Sequence, residues 1–96
     1  QSRGNFFKDL QEGPWEFFFA NEVLQQTGNF KSGLRSGIWK FFYEDGRLKS
    51  KGVYKTGKQN GKFEFFSQSG QLEGKGYFEL GKRVGEWEQF KEGNIE

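Results

Sequence analysis

Gly13, Gly37, Gly61 and Gly85 lie 24 residues apart, and they bring a whole pattern with them. Trp15, Trp39, Phe63 and Trp87 keep the same spacing, as do Phe18, Phe42, Phe66 and Phe90. Leu24, Leu48 and Leu72 follow, then Gly28, Gly52 and Gly76, then Phe30, Tyr54 and Phe78, then Gly33, Gly57 and Gly81. Gly4 and Phe6 extend the period backwards, 24 residues before Gly28 and Phe30. Self-similarity at one fixed period marks a repeat architecture. The reading is one domain over residues 1–96, with units at about 13–36, 37–60 and 61–84 and partial units at 1–12 and 85–96.

Each unit reads as two strands. Aromatics make up 20% of the chain and 15 of its 96 residues are glycine, a mixture that suits strands and turns and disfavours helices. Residues 38–43 and 48–54 are short aromatic or β-branched runs bounded by turn formers. Asp45-Gly46 between them is a type I′ hairpin signal. Ser69-Gly70 and Gly93-Asn94 stand in the equivalent places, and Asn21-Glu22 is the weaker version in the first unit. Lys55-Thr56-Gly57-Lys58 supplies the second connection. The predicted fold is all-β: a single-layer, twisted antiparallel meander of about eight strands.

Two-residue loops at Asp45-Gly46 and Gly57-Lys58 set a testable register. Tyr43 then faces Leu48, Phe41 faces Ser50, and Trp39 faces Gly52; Gly52 also faces Phe63, and Tyr54 faces Gly61. One face carries the row Trp39, Gly52, Phe63, Gly76, Trp87 and a second row Gly37, Tyr54, Gly61, Phe78, Gly85. Rings alternate with glycines, so each ring can lie on bare cross-strand backbone. Trp15, Trp39, Phe63, Trp87, Gly28, Gly52, Gly76 and Tyr54 are therefore expected to be structural. The opposite face carries Phe18, Phe42, Phe66 and Phe90, interleaved with Gln25, Lys49 and Glu73. Beside them runs the charged row Lys40, Lys51, Glu64, Lys75, Glu88.

The stretch from Gly37 to Gly61, GIWKFFYEDGRLKSKGVYKTGKQNG, resembles the MORN repeat, specifically the bacterial variant of YwqK-like proteins described as antitoxins. The likeness covers nearly the whole chain. It implies an elongated twisted antiparallel sheet and a role in scaffolding, protein binding or, in some members, membrane association. Asp9 at the Gly33-equivalent place, Asn21-Glu22 in the hairpin and Gln89 in place of a strand Phe depart from the pattern and suggest capping-like terminal units.

Chemistry is scarce. The chain has no His and no Cys, so the usual general base, thiol nucleophile and metal ligands are missing. Asp9, Glu16, Glu44, Asp45, Glu64, Glu73 and Glu88 recur with the repeat or sit in turns, and no pair stands out as a glycosidase-like dyad. The expectation is a non-enzyme with no cofactor and no metal. A net charge of +2, with 15 basic and 13 acidic residues interspersed, argues against nucleic acid and against strong membrane binding.

Another protein is the expected partner, met through the ridge of Phe18, Phe42, Phe66 and Phe90, or through open sheet edges near residues 4–8 and 90–96. The last unit reads as stopping inside its second strand at Glu96, which a partner could complete. A subunit of a bacterial envelope assembly, an antitoxin or immunity-type inhibitor, and a choline- or glycan-binding repeat remain open, as does homo-oligomerisation. The missing initiator Met and the lack of Cys lean toward the periplasm or cell surface and leave the cytoplasm open.

Overall fold

The computed structural model describes residues 1–91 and 94–95, with side chains as far as Phe90. Eight strands of six to ten residues run in sequence order: β1 (Ser2–Phe7), β2 (Leu10–Phe18), β3 (Leu24–Lys31), β4 (Leu34–Phe42), β5 (Leu48–Lys55), β6 (Lys58–Phe66), β7 (Leu72–Glu79) and β8 (Lys82–Lys91). A two-residue strand, β9 (Asn94–Ile95), pairs with the end of β8. Every strand pairs antiparallel with its sequence neighbour, so the chain is one open meander. Its extents of 47 × 33 × 13 Å are those of a single layer. The expected all-β meander of paired strands is what forms. The Gly93-Asn94 turn and the chain end at Glu96 fall at or beyond the limit of the described residues.

The core row matches the sequence reading. Trp39 pairs with Gly52, Gly52 with Phe63, and Phe63 with Gly76. Each ring then covers the glycine one strand earlier. A Cβ added to Gly4, Gly28, Gly52 or Gly76 would stand 2.2 Å from Trp15, Trp39, Phe63 or Trp87 respectively. No side chain fits there, which is why glycine is needed inside the strands. The indole N–H locks the arrangement: Trp15 Nε1 donates to the Asn5 carbonyl, Trp39 Nε1 to that of Asn29, and Trp87 Nε1 to that of Tyr77. Phe30 meets Trp39 edge-on at 5.0 Å, and Phe78 meets Trp87 likewise at 5.0 Å. Trp39 is 0% exposed, although the sheet has no second layer among the described residues.

Both turns differ from the sequence reading, with consequences for which side chains share a face. The Tyr43 N–H bonds the Arg47 carbonyl, and the Gly46 N–H bonds the Tyr43 carbonyl. The loop is therefore three residues, Glu44-Asp45-Gly46, closed by Gly46 at φ 92°. Tyr43 faces Arg47 rather than Leu48. Phe42 pairs with Leu48 while Phe41 still pairs with Ser50, so Lys49 becomes an extra residue on β5. The same bulge gives Phe18↔Leu24 and Phe66↔Leu72.

The tight turn also moves by one residue. Lys55 pairs with Lys58, and Thr56-Gly57, both at positive φ, form the loop. Tyr54 faces Gln59, not Gly61. Register with the core row recovers only by Gly52↔Phe63, and Asn60 and Gly61 are absorbed in a bulge. Consequently the alternating row Gly37, Tyr54, Gly61, Phe78, Gly85 holds at Gly37↔Tyr54 and Gly61↔Phe78 and breaks at the other two steps, where Tyr54 pairs with Gln59 and Phe78 with Arg83.

Neighbouring units are tied at both rims. Gly33, Gly57 and Gly81 donate their N–H groups to the carbonyls of Gln11, Arg35 and Gln59 in the preceding unit. On the opposite rim, the Tyr43 hydroxyl donates to the Phe66 carbonyl at 2.6 Å and Arg47 donates to the Gln68 carbonyl at 2.6 Å. Partial burial raises the Tyr43 phenol above its ordinary value, and the Glu73 and Asp45 carboxylates push it the same way.

Candidate functional site

Because the sheet is one layer, both faces are available. On the first face, aromatic rings form a continuous slab from Phe6 through Trp15, Phe30, Trp39, Tyr54, Phe63 and Phe78 to Trp87. Arg35 covers part of this slab: its guanidinium lies 4.5 Å from the Trp39 ring and 5.3 Å from both Phe41 and Tyr54. The far end of that guanidinium bonds Gln26 Oε1 at 2.5 Å. Arg83 repeats the stack on Trp87 at 3.9 Å. There the face opens into a groove lined by Phe65, Glu73, Gly74, Phe78, Arg83, Trp87 and Gln89, with Glu88 and Phe90 of the charged band and ridge at its border.

The second face holds the residues singled out for binding. Phe18, Phe42, Phe66 and Phe90 are all half-buried. Three of them do not alternate with Gln25, Lys49 and Glu73, as the sequence register had it. The hairpin bulge sets Leu24, Leu48 and Leu72 opposite Phe18, Phe42 and Phe66. Lys49 turns to the aromatic face, beside Phe41, Tyr54 and Phe63, and Glu73 lines the Trp87 groove. The ridge is thus more apolar than its sequence-derived version. The leucines were visible as a periodic position, but nothing in the pattern announced the extra residue that turns them outward with the phenylalanines.

A charged band runs beside the ridge as expected. Lys40 pairs with Lys51, Lys51 with Glu64, Glu64 with Lys75, and Lys75 with Glu88. Lys51 and Lys62 each come within 3.7 Å of Glu64, and Lys75 within 3.5 Å of Glu88. Arg3 extends the band, paired to Glu16 and 5.6 Å from the Phe18 ring. Beyond the band, Ile38 (61% exposed) pairs with Val53, and Tyr77 (55% exposed) pairs with Val84 and with Lys62. The face therefore reads as an apolar ridge, a charged band, and two apolar patches separated by Lys62.

The carboxylates considered for catalysis are dispersed by the fold. Glu16, Glu64 and Glu88 belong to the charged band. Asp9 sits in a tight turn at φ 67°, and Asp45 accepts the Arg47 N–H in its loop. No group of three His, Cys, Asp or Glu among the described residues is arranged to hold a metal ion. No helix among them is long and apolar enough to cross a membrane.

No curated protein matches the chain significantly. The MORN repeat variant matches at residues 11–32, 35–56 and 59–80, more than half of the sequence. Each matched stretch ends on the first residue of a tight turn, Ser32, Thr56 or Leu80, so each contains one long-loop hairpin of this sheet. With three consecutive matches on the same hairpin that the structure repeats, the chain belongs to the MORN repeat variant family.

Proposed function

We propose that the protein is a protein-binding scaffold module whose contact surface is the ridge Phe18, Leu24, Phe42, Leu48, Phe66, Leu72 with its charged band. The single observation behind this reading is the thickness of the fold. A sheet with an apolar line on each face normally buries it under another layer, and here a 13 Å layer leaves the ridge face open. Rows of rings and aliphatic side chains beside interspersed charges suit a protein surface: the apolar rows supply contact area, and the charges select register. An envelope-assembly subunit and a toxin are the two partner identities this reading admits, and either would dock on the same ridge.

Co-purification tests the reading. A Phe42→Glu/Phe66→Glu variant, checked for an unchanged fold by circular dichroism, is compared with wild type and with Lys49→Glu, which alters the opposite face. Loss of one defined partner in the ridge variant alone supports the proposal. Equal recovery from all three removes the ridge from the interface, and retention on anionic vesicles in place of a protein partner replaces the reading with a membrane one.

A further inference from the structure

The internal repeat allows one site to be read from another. One cross-strand position on the aromatic face is occupied by the pairs Ser2–Phe17, Gln26–Phe41, Ser50–Phe65 and Gly74–Gln89. Only the last has neither a ring nor a polar side chain on its first strand. Arg occurs next to this position twice, as Arg35 and Arg83, and both times it stacks on a Trp.

At the first site the arrangement is complete within the chain. Arg35 lies over Trp39, Phe41 closes one side, and the Gln26 carboxamide oxygen accepts from the guanidinium. At the second, Arg83 lies over Trp87 with Phe65 and Phe78 alongside, but Gly74 stands where Gln26 does, and Gln89 where Phe41 does. These two replacements, together with the lack among the described residues of a ring placed as Tyr54 is beside Arg35, leave the groove open.

We propose that this groove binds a glutamine side chain from an extended segment of another protein, held as Gln26 is held by Arg35. The guanidinium would donate to the carboxamide oxygen, Trp87 and Phe78 would flank the methylenes, and Gln89 offers a further amide partner. Charge selects the amide over the acid. Glu73 lines the same groove, so a carboxylate brought to Arg83 would also meet a like charge. The stacked Arg83 and Trp87 lie on the face opposite the Phe18–Phe42–Phe66 ridge, and the groove meets that face only at its border with Glu88 and Phe90.

The test uses N-acetyl-L-glutamine methylamide as probe, with its glutamate counterpart, and follows the side-chain N–H signals by NMR. Saturable shifts are expected at Arg83 Nε and Trp87 Nε1, with Arg35 Nε and Trp39 Nε1 unmoved. The glutamate probe should bind more weakly. Gly74→Gln supplies the amide from within, and Gln89→Phe restores the ring of the other units; each should weaken probe binding by at least about tenfold. Using both matters, since a Cβ at Gly74 would come within 3.3 Å of the Glu88 carbonyl. Non-saturable shifts, equal shifts at Trp39 and Trp87, tighter binding of the glutamate probe, or unchanged binding in both variants would overturn the assignment.

Discussion

The Trp39 ring lies flat on the backbone of Gly28, so close that a Cβ at that glycine would stand 2.2 Å from the indole Cδ2. In a sheet with one layer, this contact does the work that a second layer does elsewhere. The ring is floored by backbone, walled by Phe30 and Tyr54 and covered by Arg35.

Gly28→Ala should therefore act far above its size. The added methyl must displace an indole that is 0% exposed, and the cost is expected at about 3 kcal/mol, the upper end for overpacking. Gly46→Ala is the comparison: a Cβ there meets nothing within 4 Å, and only its φ of 92° opposes the change, at about 1 kcal/mol. Urea unfolding of both variants measures the difference, and equal losses would contradict the ring-on-glycine account.

Glu22 holds the position that Gly46 and Gly70 hold in later units, at φ 70° against 92° and 93°. Its N–H makes the same turn bond, to the Phe19 carbonyl. Glu22→Gly removes a side chain from the left-handed region and should stabilise the protein by about 0.5–1 kcal/mol, after the extra freedom of the unfolded chain is discounted. A rise in thermal midpoint is the readout.

Tyr43 should titrate above the ordinary 10.0 of a phenol, for reasons of burial first and of the Glu73 and Asp45 charges second. The sign follows from linkage. The unfolded chain gives up this proton more readily than the folded one, so the contribution is complete below the unfolded value and is lost as pH rises through the folded one. Phenolate absorbance should show one late-titrating tyrosine that Tyr43→Phe removes. The variant should also lose about 1 kcal/mol at neutral pH with the bond to the Phe66 carbonyl, and show a shallower stability decline in alkali.

Glu64→Gln should cost little. Glu64, 19% exposed, is met by Lys51 across the strands and by Lys62 two residues away on its own strand, each at 3.7 Å, but pairs whose lysines are about half exposed contribute only about 0.2–1 kcal/mol each. The loss should shrink further in high salt. A loss of several kcal/mol in chemical denaturation would mean that the charged band holds the sheet together.

Much of this architecture was legible in the residues. The 24-residue period set the hairpin as the unit, and the regular offset between Trp39, Gly52 and Phe63 set the core register, because a ring and a glycine must meet at one level. The charged row from Lys40 to Glu88 followed from the same register. Loop geometry was harder to read. Asp45-Gly46 suits a two-residue loop and also the end of a three-residue one, and the choice is made by backbone hydrogen bonds from Tyr43 to Arg47.

That choice decided the faces. One extra residue at Lys49 sends Leu48 to the ridge and Lys49 to the rings, because successive strand residues point to opposite sides and a bulge shifts that alternation. The Trp87 groove was only partly visible in the sequence: Gln89 stood out as a missing strand Phe, but nothing linked it to Gly74, 15 positions away, until pairing sets the two side by side. The sequence alone determined a repeating sheet of rings laid on glycines, since only glycine admits that contact. Which side chains each face presents was decided by the tertiary structure, since turn length and bulges are settled by hydrogen bonds between strands.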